Sequence, residues 1–214
     1  MKIFISTFIA AIVFCSCAYT QNNSVKIPAA VSTKPVPGEA VATFGEGCFW
    51  HAEIVFQSLA GVRDAVSGYS GGNDTSPDYV KVSTGRTGHA ESVNVYYDPQ
   101  KISYQQLVEA FFASMDPTTL NRQDNDEGTQ YRSIAFYRNE TEKKIIEDEI
   151  AKINASKKYR SKVVTQVVPF VHFYPAEDYH QEYILHNPDN GYVQNVSIPD
   201  YLRFRKIFKG PYKN

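Results

Sequence analysis

Cys48 is the residue whose type and setting most clearly allow chemistry. The chain has three cysteines, and two of them lie in an apolar N-terminal stretch, so Cys48 is the single thiol beyond residue 40. It stands in the segment GEGCFWHAE, residues 45–53, after a glycine and before two aromatic residues. A glycine turn that leads into a helix exposes N–H groups that stabilise a thiolate. This setting predicts a lowered thiol pKa and a nucleophile.

The residues alone leave the role of Cys48 open. Many free cysteines are small buried hydrophobic residues without chemistry. Cys48 and His51 have a two-residue gap that could suit a metal, but no second pair follows at a fitting spacing. A cysteine hydrolase would need a histidine base, and none of the five histidines is tied to Cys48 by a local signature.

The N-terminus predicts export. Lys2 precedes an apolar run over residues 3–15, which is too short to span a membrane and typical of a secretory signal. We expect residues 1–16 to be a signal peptide, and the flanking sequence resembles a lipoprotein signal in which Cys17 is acylated. Residues 17–40, rich in Asn, Ser, Thr and Pro, are expected to form a flexible tether. The catalytic domain would then be residues 41–214, in the bacterial periplasm or on a membrane anchored through Cys17.

The composition narrows the class of partner. The hydrophobic fraction is 43% and the charged fraction 21%, which is typical of a globular protein. The net charge of −1 provides no basic surface, so nucleic acid is not expected to bind.

Hydrophobic patterns predict an α+β domain in which helices pack on a mixed β-sheet. Strands are expected at residues 41–44, 62–69, 92–97, 133–137 and 163–173, the last one central because both its faces are apolar. The strand at 92–97 alternates, which predicts one polar face. Helices are expected at residues 49–60 and after the capping boxes that begin at Ser103 and Asn139. Beyond His180 the Pro, Asn and Gly content predicts little regular structure.

The motif GCFW at residues 47–50 resembles the signature of the peptide methionine sulfoxide reductase A family. Further motifs of that family follow in the family's order across residues 41–199. They are GYSGG (68–72), TGHAE (87–91), YDP (97–99), DPT (116–118), NRQ (121–123), QYRS (130–133) and AExYHQ (176–181). The resemblance implies a two-layer, plait-like α+β fold.

The same resemblance implies a reaction that needs no metal or organic cofactor. The substrate would be the S epimer of methionine sulfoxide, free or in a protein. The Cys48 thiolate would attack the sulfoxide sulfur, and Glu91 would protonate the oxygen. Tyr79 and Tyr131 would hold that oxygen by hydrogen bonds. The products would be methionine and a sulfenic acid on Cys48.

Three more residues take roles from the resemblance. Phe49 and Trp50 would receive the methyl group on the sulfoxide sulfur, and Asp126 matches a family position near the active site. The chain has Asp124 where the family usually has glycine. If that site needs a positive φ, Asp tolerates it better than most residues but less well than Gly, which would affect the geometry around Asp126. His89 and His180 are expected to be structural hydrogen-bonding residues.

The chain lacks a feature that many family members have, because residues 187–214 contain no cysteine. The resemblance is therefore to the form with one catalytic cysteine. An external thiol reductant is expected to recycle Cys48: a thioredoxin-like or glutaredoxin-like protein, or a small thiol. The other expected partners are oxidised proteins or peptides, with membrane contact only through the lipid anchor, and the protein is expected to be a monomer.

Two other function classes fit the residues without the resemblance. One is a tethered module that binds methionine-rich segments through an aromatic pocket. The other is a cysteine hydrolase.

Overall fold

A six-stranded mixed sheet organises the fold, and the computed structural model describes residues 32–213. The predicted signal peptide and residues 17–31 of the predicted tether lie outside the described residues. The strands are β1 (Ala40–Glu46), β2 (Val62–Ser70), β3 (Ala90–Tyr97), β4 (Arg122–Gln123), β5 (Asp126–Glu127), β6 (Ser133–Tyr137), β7 (Gln166–Pro169) and β8 (Phe173–Pro175). The helices are α1 (Phe49–Gln57), α2 (Tyr79–Ser83), α3 (Tyr104–Ser114), α4 (Glu140–Ser156), α5 (Tyr183–His186) and α6 (Ile198–Ile207). This arrangement confirms the predicted α+β class.

The strand order is β7-β6-β1-β3-β2-β8. The pair β6–β7 is parallel, and every other pair in this sheet is antiparallel. Strands β4 and β5 form a separate two-stranded hairpin. Because β1 lies between β6 and β3, the turn after β1 emerges from the middle of the sheet.

The sheet is strongly curled. Its edge strands β7 and β8 are separated in sequence only by the link from Pro169 to Phe173, which can span about 14 Å. Six strands laid flat would place those edges about 24 Å apart. The curl brings Ala90, Ile134 and Phe136 together in a small core of their own.

The prediction of one central strand at residues 163–173 is wrong. The segment supplies two short strands that form the opposite edges of the sheet. Its apolar side chains are only half-buried in β7, and Pro169 ends that strand. The apolar pattern on both faces arose because the curled sheet and α4 cover parts of each face.

The larger core lies between the sheet and the helices. The ring of Phe44 in β1 stacks on Phe56 of α1 at 5.3 Å and on Phe111 of α3 at 4.9 Å. The predicted capping box is confirmed, since the Ser103 hydroxyl accepts from the N–H of Gln106 at the start of α3. All eight residues of β3 are buried, so its predicted polar face is not exposed: Asn94 accepts a hydrogen bond from the Thr43 hydroxyl.

The expectation of little regular structure beyond His180 is wrong. A π-turn at Val193–Ser197 leads directly into α6. Pro199 lies just after this π-turn, inside a continuous helical segment, since Ser197 and Ile198 already have helical φ and ψ. Among the described residues, no helix is long and apolar enough to cross a membrane.

Candidate active site

Cys48 lies in the turn between β1 and α1, at the N-cap position of the helix. Gly47 before it has φ of +103°, and a Cβ atom on Gly47 would lie 2.7 Å from the Cβ of Gln123. Only glycine meets both conditions. The turn therefore fixes Cys48 at the end of β1, with its side chain partly exposed.

The surroundings of Cys48 raise the pKa of its thiol well above the ordinary value. Burial is the largest cause, and the negative charges of Glu91 and Asp126 add to it. The N–H groups of Trp50 and His51 lower the pKa by a smaller amount. The predicted lowering is wrong in its net direction, because lost hydration and two carboxyl groups outweigh the helix donors. Cys48 is thus a neutral thiol in the resting protein.

Glu91 belongs to β3, and its side chain is 2% exposed. Its Oε2 accepts a hydrogen bond from the N–H of Phe49 at 3.0 Å, which holds the carboxyl group at the start of α1. Burial raises the pKa of Glu91 to about 8, against the lowering effect of the Phe49 N–H. Glu91 is therefore mostly protonated at neutral pH, the state that a proton donor needs.

Tyr79 and Tyr131 come from different elements and approach the same carboxyl group. Tyr79 begins α2, where its N–H donates to Glu177 Oε1 at 3.0 Å. Tyr131 ends a 3₁₀ turn at Thr129–Tyr131. Burial raises the pKa of both hydroxyls, and the charges of Glu91 and Cys48 raise it further. Both hydroxyls therefore stay protonated and can donate hydrogen bonds.

Asp126 lies in β5 and faces Cys48 from the hairpin. Its Oδ2 accepts a hydrogen bond from the Tyr192 hydroxyl at 2.5 Å. Burial raises the pKa of Asp126, and this hydrogen bond lowers it. Asp124 has φ of +50°, as expected at this position. Asp therefore occupies the left-handed conformation here, and Asp126 still reaches Cys48.

Phe49 and Trp50 form the aromatic side of the site. Phe49 is buried, with its ring centroid 4.9 Å from that of His180 and 6.4 Å from that of Tyr79. The Trp50 ring stacks on Tyr183 at 3.6 Å and 4°. Both aromatic residues are thus fixed by neighbouring rings beside the thiol.

Of the two histidines singled out in the sequence, His89 has both ring nitrogens in hydrogen bonds, whereas His180 has one and its buried Nε2 has no partner. His89 Nδ1 accepts from the N–H of Gly72, and its Nε2 donates to the carbonyl oxygen of Asp74. His180 Nδ1 accepts from Trp50 Nε1 at 3.1 Å. Burial lowers the pKa of His180 to about 4, so it is a neutral anchor for the indole.

Two residues of the site were missed in the sequence. The Tyr192 hydroxyl donates a hydrogen bond to Asp126 and also interacts with the Cys48 side chain. The ring of Tyr183 stacks on that of Trp50. Both lie beyond His180, where no structure was expected. The signal that could have found them is the density of tyrosine near glycine and asparagine in that segment, which suits loops that close over a pocket.

The described residues contain no group of three or more His, Cys, Asp or Glu side chains placed to hold a metal ion. The arrangement instead combines a thiol, a protonated carboxyl group and tyrosine hydroxyls beside an aromatic surface. These groups can deliver a nucleophile and a proton to a polar sulfur–oxygen bond.

Comparison with known proteins assigns this arrangement to a family. The family model described as peptide methionine sulfoxide reductase matches residues 40–211. The chain belongs to the peptide methionine sulfoxide reductase family. The chain is therefore an oxidoreductase with peptide methionine sulfoxide reductase activity, and the resemblance seen in its motifs is confirmed.

Relatives and solved structures agree with this family. Peptide methionine sulfoxide reductase MsrA 1 of Rhodopirellula baltica is 45% identical over 178 residues, which cover 83% of this chain and 92% of the relative. MsrA of Nautilia profundicola is 49% identical, with 78% and 94% covered. Methionine sulfoxide reductase A of Corynebacterium diphtheriae superposes with a TM-score of 0.66 at 35% identity, covering 72% of this chain and 78% of that one. Mxr1 from Saccharomyces cerevisiae in reduced form also gives 0.66, at 34% identity, with 73% and 91% covered.

Proposed function

We propose that the chain reduces the S epimer of methionine sulfoxide through a sulfenic acid on Cys48. The observation that best supports this is the protonated carboxyl group of Glu91, held beside Cys48 by the N–H of Phe49 at 3.0 Å. A sulfoxide oxygen gains negative charge when its sulfur is attacked, and it must be protonated to leave. A buried acid with a pKa of about 8 can supply that proton at neutral pH.

The first step, reduction of the sulfoxide, needs no cofactor. The Cys48 thiolate forms a bond to the sulfoxide sulfur, and Glu91 protonates the oxygen. The hydroxyl then moves to the Cys48 sulfur while the substrate sulfur–oxygen bond and the new sulfur–sulfur bond break. The substrate is reduced to methionine, and Cys48 is oxidised to the sulfenic acid. Tyr79 and Tyr131 donate hydrogen bonds to the oxygen while its charge develops.

Epimer selection would come from the aromatic surface. Phe49 and Trp50 receive the methyl group, and the tyrosine hydroxyls receive the oxygen. Exchanging those two groups on the sulfur places the oxygen against the rings and leaves it without hydrogen bonds. We therefore propose that the R epimer is excluded.

Recycling would require a thiol from outside the domain. Cys48 is the only cysteine in residues 41–214. An external thiol would attack the sulfenic acid, release water and form a mixed disulfide, and a second thiol would then restore Cys48. A thioredoxin-like or glutaredoxin-like protein or a small thiol could do this.

The cellular role follows from the sequence of the N-terminus. We propose that the protein is exported, with or without a lipid on Cys17, and repairs oxidised proteins of the cell envelope. We also propose that the enzyme is a monomer.

The deciding experiment supplies separated S and R epimers of a methionine sulfoxide peptide together with dithiothreitol. We expect the wild type to reduce only the S epimer and Cys48→Ser to reduce neither while it stays folded. Glu91→Gln should slow the reaction by about 100-fold or more at pH 7. Binding without consumption of reductant would instead indicate a binding module, and thiol-dependent ester hydrolysis would indicate a hydrolase.

A further inference from the structure

A small cavity lies behind Cys48, on the side of α3 and the C-terminal segment. We name it the rear cavity, and it has room for a water molecule. Besides Cys48, its lining includes Glu46, His51 and Ser197. The main aromatic residues of the site, Phe49 and Trp50, are not part of its lining.

Three buried polar atoms that line this cavity have no hydrogen-bond partner. They are Glu46 Oε1, His51 Nδ1 and Ser197 Oγ. Glu46 and Ser197 are each 1% exposed. A buried polar atom left without a partner costs about 1–3 kcal/mol, and such atoms in folded proteins are usually bound to ordered water. Three of them around one cavity indicate a built site for a small polar ligand.

The hydrogen bonds around Glu46 show the protonation state of its carboxyl group. The Ser114 hydroxyl lies 2.8 Å from Glu46 Oε2 and 2.7 Å from the carbonyl oxygen of Phe111. The hydroxyl has only one proton, and the carbonyl can only accept. Both contacts are hydrogen bonds if Glu46 is protonated and donates to Ser114. Burial also raises the pKa of Glu46 to about 8, so Oε1 presents a lone pair to the rear cavity.

The tautomer of His51 follows in the same way. Its Nε2 lies 3.3 Å from the carbonyl oxygen of Ser114, which favours the proton on Nε2, and the backbone of Ser197 also acts on the ring. Burial lowers the pKa of His51 to about 4, so the ring is neutral and Nδ1 also presents a lone pair. Two acceptors match the two O–H donors of one water molecule. The oxygen of that water can then accept a proton.

Resting on the function proposed above, we propose that the rear cavity holds ordered water that accepts the proton of the Cys48 thiol and then hydrogen-bonds the thiolate. The S–H bond breaks, the electron pair stays on sulfur, and the proton moves to the water while the water passes one of its own protons to His51 Nδ1. The water then donates the O–H that it has gained to the thiolate. The proton on His51 leaves through a wider surface groove that shares Ser114, Gln123, Asp124 and Asp200 with the cavity. No oxidant or reductant is needed for this step.

The groups facing Cys48 on its substrate side cannot replace this water. Glu91 must keep its proton in order to give it to the substrate, and the tyrosines are already protonated. Asp126 lines the rear cavity itself, with its Oδ2 in a hydrogen bond from the Tyr192 hydroxyl, so it belongs to the surroundings of this water and does not replace it. Other titratable groups interact with the charge of Cys48 or His51, or line the rear cavity. They are Glu91, Asp126, Tyr79, Tyr131, Tyr192, Asp124, Asp200 and Arg203.

The test measures ionisation of Cys48 without any sulfoxide, by the pH dependence of its reaction with iodoacetamide. Mass spectrometry of the Cys48 peptide separates its alkylation from that of Cys15 and Cys17. Ser197→Val removes one partner and fills the cavity with methyl groups. We expect its alkylation midpoint to rise by about one pH unit, which is about a tenfold lower rate at pH 7. Ser197→Ala is the second variant if the valine disturbs folding, and its midpoint should rise by a smaller amount.

Glu46→Gln tests the other side of the cavity. Above about pH 8 the wild-type Glu46 ionises and adds a negative charge near the thiolate, so this variant should be alkylated about threefold faster than wild type at pH 9. Glu53→Gln is the matched control, because burial also raises the pKa of Glu53 to about 8 and it does not line the rear cavity. Its alkylation profile should equal that of wild type.

An unchanged profile in folded Ser197→Val, or a crystal structure with a dry rear cavity, would overturn the proposal. The outcome is independent of the proposed function, since iodoacetamide is not a sulfoxide. A shifted profile in a protein that reduces no methionine sulfoxide would keep the water site and reject the proposed function.

Discussion

Cys48 has no positively charged side chain among the groups that most affect its ionisation, which sets it apart from cysteines activated by an ion pair. The helix N–H groups of Trp50 and His51 are the stabilising contacts, and burial outweighs them. A thiol of this kind reacts slowly with general oxidants, because the thiolate is the reactive form. It becomes a nucleophile when its proton is removed.

The pH profile of turnover tests the two ionisations at the residue scale. In the proposed mechanism Cys48 loses a proton and Glu91 keeps one, and the pKa of Glu91 is raised to about 8. We expect kcat/KM to rise with pH and then fall above about pH 8. In Glu91→Gln the falling limb should vanish while the maximum is strongly reduced. A falling limb that persists unchanged in that variant would assign it to another group.

Tyr192 provides a second test at the same scale. Tyr192→Phe removes the donor to Asp126, so the carboxylate charge near Cys48 is no longer balanced by a hydrogen bond. We expect about a tenfold loss in the rate of the first turnover and an upward shift of the alkylation midpoint of Cys48. Tyr183→Phe is the control, since its ring stacks on Trp50 and its hydroxyl only accepts from Asn190. An equal loss in both variants would argue against a role for the hydroxyl on Asp126.

At the scale of elements, the turn between β1 and α1 sets the position of the nucleophile. Gly47→Ala must adopt a φ of +103° and overlap Gln123. Strain of this kind costs about 1–3 kcal/mol, so we expect a lower Tm and a displaced Cys48 with reduced activity. Gly191→Ala has nothing within 4 Å of the new Cβ and should change neither quantity. Urea unfolding and single-turnover rates measure both.

Some strands and helices could be predicted from the sequence, and others could not. Strand β2 and helix α3 follow from local signals, a segment between glycines and a capping box, and both were predicted close to their observed bounds. Residues 163–173 could not be placed in the same way. An apolar run does not say which neighbours cover it, and here the curl of the sheet decides that. The aromatic residues beyond His180 were missed for a similar reason, because only tertiary packing brings them to α1.

For the whole molecule, three buried carboxyl groups make stability depend on pH. Burial raises the pKa of Glu46, Glu53 and Glu91 from 4.5 to about 8. In the unfolded chain these groups lose their protons at lower pH, so between pH 4.5 and 8 the folded state binds more protons. Stability must then fall as pH rises through that window. His51 and His180, whose folded pKa values are about 4, oppose this only below about pH 6.5.

We therefore expect Tm to decrease between pH 6.5 and 8 and, because the pKa of the Cys48 thiol is also raised, to continue to decrease above about pH 8.5. The slope should be at most about 1.4 kcal/mol per pH unit for each group. Glu53→Gln should flatten it by about a third. A differential scanning calorimetry series in buffers of matched ionic strength measures the effect. A Tm that rises across this window would contradict the assigned protonation states.

The curled sheet has a consequence for an enzyme whose clients are damaged proteins. Oxidised chains that unfold expose backbone segments that seek pairing partners, and a long free strand edge would recruit them into aggregates. Here the two outer strands are only four and three residues long, each ends in a proline, and one short link joins them. A client polypeptide can therefore present its methionine to the pocket without finding a template for cross-strand association.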